Sequence, residues 1–301
     1  MHDVIIIGGG AAGLGAALYC ARYNLKTLLI AKEFGGTGNI AHQVDNWIGE
    51  PGISGMKLMQ KFIKHVDSYK VQRLTEEVKS ITKNSEGTFS VKAEKTHKTK
   101  TIIYALGMTH RKLGIPGEEE YASKGVHYCY TCDGILYKDK TVAVVGGSDA
   151  AALGALFLGQ HAKQVYVLYR KDKLRAEPIS SKQVYEHPKI KVIHNVNVTE
   201  FKGEAMLKSI TLDNGKTMDL DGVFIEIGHI PLSNLAKEVK VKINDHGFIE
   251  VDQTQTTNVK GFFAAGDITT AHTLKQFITS AAEGSVAAES VYRYLTKENN
   301  K

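Results

Sequence analysis

Cysteine is scarce in this chain: there are three in 301 residues, and two of them, Cys129 and Cys132, share the short stretch HYCYTCDG. Apolar runs are short. No window approaches the roughly 20 consecutive apolar residues that span a bilayer, which excludes a transmembrane helix. The opening MHDVIIIGGG lacks a basic leader and a small-residue cleavage site, so it does not read as a signal peptide. No low-complexity linker divides the chain. The formal charge of +6 is spread through segments such as KAEKTHKTK and KEVKVKIND rather than gathered on one face. That pattern excludes a nucleic-acid footprint and leaves a mildly basic surface, suited to an acidic protein partner. With 43% hydrophobic residues, the expectation is a soluble, cytoplasmic, globular protein with a core for each of two domains.

The first 30 residues form one unit. An apolar strand, Asp3 to Ile7, runs into glycines, then a small-residue helix through Cys20, then a second strand, Lys26 to Ile30. Gly8, Gly10 and Gly13 make GxGxxG between strand and helix. There the first glycine permits the tight turn, the second lets backbone approach a pyrophosphate, and the third lets the helix pack on the strand. The pyrophosphate then sits on the helix N-terminus. The acid that usually closes the second strand is missing: Ala31 follows Ile30, and the nearest acid is Glu33.

A second copy begins at Thr141. The strand Thr141 to Val145 leads to Gly146, Gly147 and Ser148, a helix, and the strand Gln164 to Leu168. Directly after it stand Arg170, Lys171 and Arg175, at the place where an enzyme meets the adenosine ribose. Cations there suit a 2′-phosphate and favour NADPH over NADH. Between the two turns, alternation with a turn at Asn84 to Gly87 predicts antiparallel strands. After the second come a hairpin at Asn214 and Gly215, a buried strand Val223 to Ile227, a strand through GFFAAGD ending at Asp267, and a closing helix in TLKQFITSAAEGSVAAESVYRYL. The fold class is therefore α/β, with two nested Rossmann-like dinucleotide-binding domains (an FAD/NAD(P)-binding fold), the second inserted into the first.

The paired cysteines admit several readings. In a reducing compartment a close pair is catalytic or metal-binding rather than structural. His127, Cys129 and Cys132 supply three zinc ligands as HxCxxC, but a fourth would have to be a histidine or acid from elsewhere, because Cys20 lies in the expected first helix as a small buried hydrophobe. No metal is assigned. As a redox pair, CxxC holds a nucleophilic thiolate and a leaving sulfur close enough to cycle without refolding. His127 reads as a packing or hydrogen-bonding residue. Tyr130 reads either as a modulator of access and thiol potential or as a surface spacer.

Taken together, GGGAAGLGAALYCAR, VDNWIG, YCYTCDG, VAVVGGSDAA, YRKDKLRAE, DGVFIEIGHIP and GFFAAGDI closely resemble the low-molecular-weight thioredoxin reductases, FAD enzymes of the pyridine nucleotide-disulfide class. The resemblance implies an FAD domain at 1–112 and 229–301 and an NAD(P)H domain at 113–228 that carries the CxxC. By the same resemblance, Gly8, Gly10 and Gly13 hold the FAD diphosphate, Asn46 lies by the flavin, Asp267 bonds the ribityl chain and Gln276 meets the pyrimidine end. Cys132 faces the reduced flavin, Cys129 attacks the disulfide of a thioredoxin-like protein, and Asp133 exchanges protons. For that last role near neutral pH, burial must raise the Asp133 pKa. The family rotates its two domains, and a homodimer is expected.

Several positions depart from the family pattern. Ser148 replaces the second glycine, Leu153 and Gly154 replace two glutamates, and Tyr169 and Lys171 replace a histidine and an arginine beside the retained Arg170 and Arg175. On the flavin side, Thr37, Leu106 and Lys275 replace a common glutamine, threonine and arginine. Alternatives within the fold are a reductase driven by ferredoxin or another donor and a flavin-dependent dithiol oxidase. Outside enzymology the alternative is a dinucleotide- or zinc-binding interaction protein.

Overall fold

A computed structural model describes residues 1–41, 44 and 46–299. Asp45, within the VDNWIG stretch, lies outside the described residues. The chain divides into two compact units, Met1–Thr109 with Pro231 onward, and His110–Ile230.

The first unit opens with β1 (His2–Gly9), α1 (Ala11–Arg22) and β2 (Thr27–Phe34), and continues through α2 (Gly55–Ser68), β3 (Gln72–Thr75), β4 (Ser80–Lys83), β5 (Phe89–Lys92) and β6 (Thr96–Tyr104). The chain leaves it on β7 (Met108–His110). The second unit holds β8 (Val126–His127), α3 (Tyr130–Asp133), β9 (Thr141–Val145), α4 (Asp149–His161), β10 (Gln164–Tyr169), α5 (Pro178–Glu186) and β11 (Ile190–His194). After β12 (Val198–Gly203), β13 (Leu207–Leu212), β14 (Thr217–Asp219) and β15 (Gly222–Ile225), the chain returns on β16 (His229–Pro231). It finishes with α6 (Asn234–Glu238), β17 (Phe262–Ala264) and α7 (Phe277–Asn299).

In the first unit the sheet order is β3-β2-β1-β6-β5-β4, with β17 also paired to β6. The strands around β1 are parallel, and β4, β5 and β6 run antiparallel to their neighbours in that series. The apolar run of β1 is explained by its position: Val4 and Ile6 enter the core on one face, Ile5 and Ile7 the core on the other. A strand covered on both faces reads as continuous hydrophobicity rather than alternation. Each such side chain, fully buried, contributes about 1.5–3 kcal/mol.

The second unit repeats the plan in the parallel order β11-β10-β9-β15-β8. Val142 and Val144 of β9 face one core, Ala143 and Val145 the other. A separate three-stranded antiparallel sheet, β12-β13-β14, accounts for the hairpin at Asn214 and Gly215; Gly215 has φ +78°, a conformation that favours glycine.

Several boundaries differ from the sequence reading. β2 runs four residues past Ile30, because β3 pairs it through Ala31↔Thr75 and β1 reaches Phe34 from Gly9. Glu33 thus lies within the strand, where its carboxylate accepts a bond from Asn39 Nδ2 at 2.7 Å. β17 stops at Ala264 rather than at Asp267, since Gly266 at φ +88° turns the chain away. α7 begins at Phe277, where the Thr279 hydroxyl accepts the Gln276 N–H at 3.2 Å in the manner of a capping box.

Candidate redox site

The first Gly-rich turn is built as a dinucleotide cradle. Gly8 takes φ +118°, and a Cβ there would stand 2.1 Å from the Ala105 carbonyl oxygen; a Cβ on Gly13 would stand 1.8 Å from the Gly8 oxygen. Those two glycines are required by packing within the unit. A Cβ on Gly10 would meet nothing within 4 Å, so the middle position alone opens outward, over the start of α1. Elsewhere in the unit two of the expected flavin residues are joined to each other, and the third is held by Ser280. Asn46 Nδ2 donates to Gln276 Oε1 at 3.0 Å, and Ser280 Oγ donates to Asp267 Oδ1 at 2.8 Å. Lys275 donates to the Thr269 carbonyl at 2.5 Å, and burial lowers its pKa. An open glycine at a helix N-terminus together with a positioned carboxylate and amide pair fits FAD.

In the second unit Cys129 and Cys132 are joined in a disulfide, with Cα atoms 5.3 Å apart. Cys129 caps α3: its Sγ accepts the Cys132 N–H at 3.1 Å and lies 3.3 Å from the Thr131 hydroxyl, which donates because a disulfide sulfur carries no hydrogen. Two donors aimed at one sulfur stabilise negative charge on it and mark Cys129 as the better thiolate. The loop rests on α4. Tyr130 packs against Phe157 with ring centroids 5.8 Å apart, and a Cβ on Gly154 would stand 2.8 Å from the Tyr130 ring. Tyr130 is half-buried rather than a surface spacer, and burial, with the charge of Glu226, pushes its phenol up to about 12. The family departure at Gly154 is thus the seat of Tyr130, a pairing that the sequence reading missed.

Asp133 is not enclosed: its side chain is 36% exposed, and its Oδ2 lies 2.9 Å from Nδ1 of His127. His127 is 5% exposed, and its Nε2 lies 2.7 Å from the Tyr137 hydroxyl. Both imidazole nitrogens are therefore engaged by neighbours rather than directed to a zinc site. The sequence reading placed His127 as a packing or hydrogen-bonding residue; its partners, Asp133 and Tyr137, were not identified. The signal available was a histidine on a strand two residues before the CxxCD run. Cys20 is fully buried, and burial pushes its thiol up.

At the second turn Gly146 has φ +149° and Gly147 lies under the Tyr169 ring. Ser148 is the N-cap of α4, and its side chain makes no capping bond. The Arg175 N–H donates to the Gly147 carbonyl at 2.6 Å, bringing that residue to the turn; Arg170 and Lys171 are exposed just beyond β10. Glu226, just past β15, is buried, and burial raises its pKa to about 8. Nothing in the sequence pattern had singled it out. An uncommitted hydroxyl at a helix N-terminus with cations past the second strand fits a nucleotide diphosphate that bears a further phosphate.

Among the described residues no helix is long and apolar enough to cross a membrane. The chain is 36% identical to a thioredoxin reductase of Bacillus subtilis, over 98% of this chain and 95% of that protein. The crystal structure of Lactococcus lactis thioredoxin reductase in its FR conformation matches with a TM-score of 0.93 at 32% identity, covering 99% of this chain and 100% of the other. A ferredoxin-flavin thioredoxin reductase from Clostridium acetobutylicum also matches, with a TM-score of 0.55 at 29% identity over 98% of each chain. Residues 2–284 match the family model described as pyridine nucleotide-disulphide oxidoreductase. Two nested nucleotide folds, a closed CxxC and full-length relatives agree, and the chain belongs to the pyridine nucleotide-disulphide oxidoreductase family.

Proposed function

We propose that the chain is a thioredoxin-disulfide reductase, in which electron pairs travel from NADPH through FAD to the Cys129–Cys132 disulfide and on to the disulfide of a thioredoxin-class protein. The first unit is the FAD domain and the second the NAD(P)H domain. The reading includes a homodimer working in the cytoplasm. The observation that carries it is the closed Cys129–Cys132 pair, with two hydrogen-bond donors on Cys129 Sγ and a carboxylate on the next residue after Cys132.

FAD, when bound, supplies a two-electron acceptor and donor. The chain's own residues do the rest. Gly8, Gly10 and Gly13 shape the turn that receives the diphosphate, while Asp267, Asn46 and Gln276 orient the remainder. Gly146, Gly147 and Ser148 receive the nicotinamide nucleotide, with Arg170, Lys171 and Arg175 for its 2′-phosphate. Once the pair is reduced, the Cys132 N–H and the Thr131 hydroxyl stabilise the Cys129 thiolate for attack on the partner's disulfide. Cys132 then resolves the mixed disulfide, and Asp133 exchanges the protons.

The test is anaerobic. Purified protein is yellow, its flavin bleaches rapidly on mixing with NADPH, and Cys132→Ser keeps FAD but loses reduction of a thioredoxin. Colourless protein after incubation with excess FAD overturns the reading and favours a non-catalytic binding protein. A ferredoxin-driven reductase is the second reading. It is favoured by Ser148, which places a side chain where the first turn has open space. Bleaching by reduced ferredoxin but not by NADPH selects it, and reoxidation only by oxygen selects a dithiol oxidase.

A further inference from the structure

Asp133 is asked to exchange protons with sulfur, yet it is one-third exposed, and an unsupported carboxylate on a four-residue helix has many orientations. What holds it comes from behind. Tyr137, His127 and Asp133 form a continuous chain: 2.7 Å from the Tyr137 hydroxyl to Nε2, and 2.9 Å from Nδ1 to Oδ2. The imidazole is itself fixed. It stacks on Phe224 of β15, with centroids 5.3 Å apart and planes at 25°, and meets the Tyr137 ring edge-on at 5.4 Å. Backbone pairing of Phe224 with His127 in the sheet sets that contact.

Resting on the proposed reductase activity, we infer that His127 is a positioning residue for the proton-exchanging carboxylate, with Tyr137 selecting its tautomer. Tyr137 is 5% exposed, and burial, with the charges of Asp133 and Asp221, pushes its phenol up to about 12, so it keeps its proton and donates to Nε2. With Nε2 accepting, neutral His127 carries its proton on Nδ1 and donates to Asp133 Oδ2. This is the logic by which a third group fixes a histidine tautomer in catalytic triads, here running toward the carboxylate instead of away from it. The bond to His127 is made by Oδ2, not by Oδ1.

The exchange step balances. The Cys129 thiol gives its proton to Asp133, Cys129 Sγ attacks the partner's disulfide, and the first partner sulfur leaves as a thiolate and takes that proton. Cys132 gives up its proton by the same route and attacks Cys129 Sγ. The mixed bond breaks, the Cys129–Cys132 bond re-forms, and the second partner sulfur leaves protonated. The enzyme dithiol loses two electrons, and the partner disulfide gains them.

The donor on Oδ2 holds the carboxylate in one orientation, and its loss slows the exchange. Among the described residues, the charged or titratable groups around the chain are Asp133, Tyr137, Asp221 and Lys140, whose Nζ lies 5.6 Å from the Tyr137 ring centroid; β15 packs the Phe224 ring on His127 and Gly222 on the Tyr137 ring. The experiment reduces the holoprotein with dithiothreitol, desalts it anaerobically and follows single-turnover reduction of an oxidised thioredoxin against pH, with neither nucleotide nor flavin turnover involved. In His127→Leu the exchange rate is expected to fall about tenfold across the profile, and His127→Asn, whose amide N–H stands near the place of Nδ1–H, is expected to restore it. A His127→Leu profile that superimposes on wild type overturns the inference. So does a nitrogen NMR spectrum of wild-type protein showing neutral His127 with its proton on Nε2, a measurement that needs no variant to fold. Failure of reduced wild type to turn over thioredoxin strikes the reductase reading instead, and the tautomer still decides the bond chain.

Discussion

Gly8 and Gly146 occupy the same place in their two turns. A Cβ on either would fall 2.1 or 2.2 Å from a carbonyl oxygen just past a central strand, that of Ala105 or that of Glu226. Gly10 and Ser148 also share a backbone: φ and ψ are −80° and −168° at the first, −94° and −177° at the second, and neither caps its helix through a side chain. The turns part company in two respects. Open space lies over Gly10, while Ser148 carries a hydroxymethyl group there. At the third position Gly13 has no room for a methyl, whereas Ala151 is a buried methyl, 3.0 Å from where a Cβ on Gly146 would be. The first glycine of the motif thus sets the frame in both units. The later positions are free to change with what the turn must receive and with how closely its helix approaches.

The packing half of that comparison breaks most visibly at Gly13. Gly13→Ala drives a methyl into the Gly8 carbonyl, and a clash with backbone is relieved only by moving α1. The expected cost is about 3 kcal/mol, with loss of bound FAD, whereas Ala151→Gly costs about 1 kcal/mol of helix propensity. Thermal melts and flavin content measure both. A Gly13→Ala protein that stays yellow and melts with wild type removes the distinction between the helices.

The next difference lies where Ala105 in one unit is matched by Glu226 in the other. The Glu226 carboxyl rises from 4.5 to about 8 because it is buried. Between those values the folded state holds a proton that the unfolded state has lost. The contribution is complete below pH 4.5 and declines as pH rises toward 8, by up to about 1.4 kcal/mol per pH unit. Glu226→Gln is expected to flatten that decline and to be the more stable protein at pH 8 in denaturant titrations. Parallel pH dependences in wild type and variant would place the carboxylate in water.

The nested fold was legible because both frames leave local marks: a short apolar run, glycines at fixed spacing, and a small-residue helix. The CxxC was equally local. What stayed hidden depends on partners distant in sequence. Tyr130 sits on Gly154, so a lost glutamate and an aromatic spacer are one feature seen twice. Burial of Asp133 was the expected route to proton exchange, but its side chain is one-third exposed and is held by His127, itself held by Tyr137 and Phe224, and no spacing rule joins those four. By sequence alone Glu33 falls beyond the second strand, because pairing with β3, which extends β2, leaves no mark within β2 itself.

The smallest expected effects come from exchanging the middle residues. Gly10→Ser needs no new backbone, since Ser148 already shows the side chain tolerated at nearly the same φ and ψ, so the fold is retained. The hydroxymethyl group displaces the diphosphate from the start of α1, and FAD affinity is expected to fall about tenfold, or about 1.4 kcal/mol. The reverse change, Ser148→Gly, opens the second turn but gives up a hydroxyl that can donate to phosphate. Those terms oppose each other, and NADPH binding to the oxidised protein is expected to tighten only a few-fold, by less than about 1 kcal/mol. Calorimetric titration of NADPH, beside flavin fluorescence for Gly10→Ser, reads both arms. Tighter NADPH with Ser148→Gly makes the serine a brake on a working nucleotide site. Undetectable NADPH with either residue moves the electron entry away from this turn, and Arg170, Lys171 and Arg175 then have no 2′-phosphate to meet.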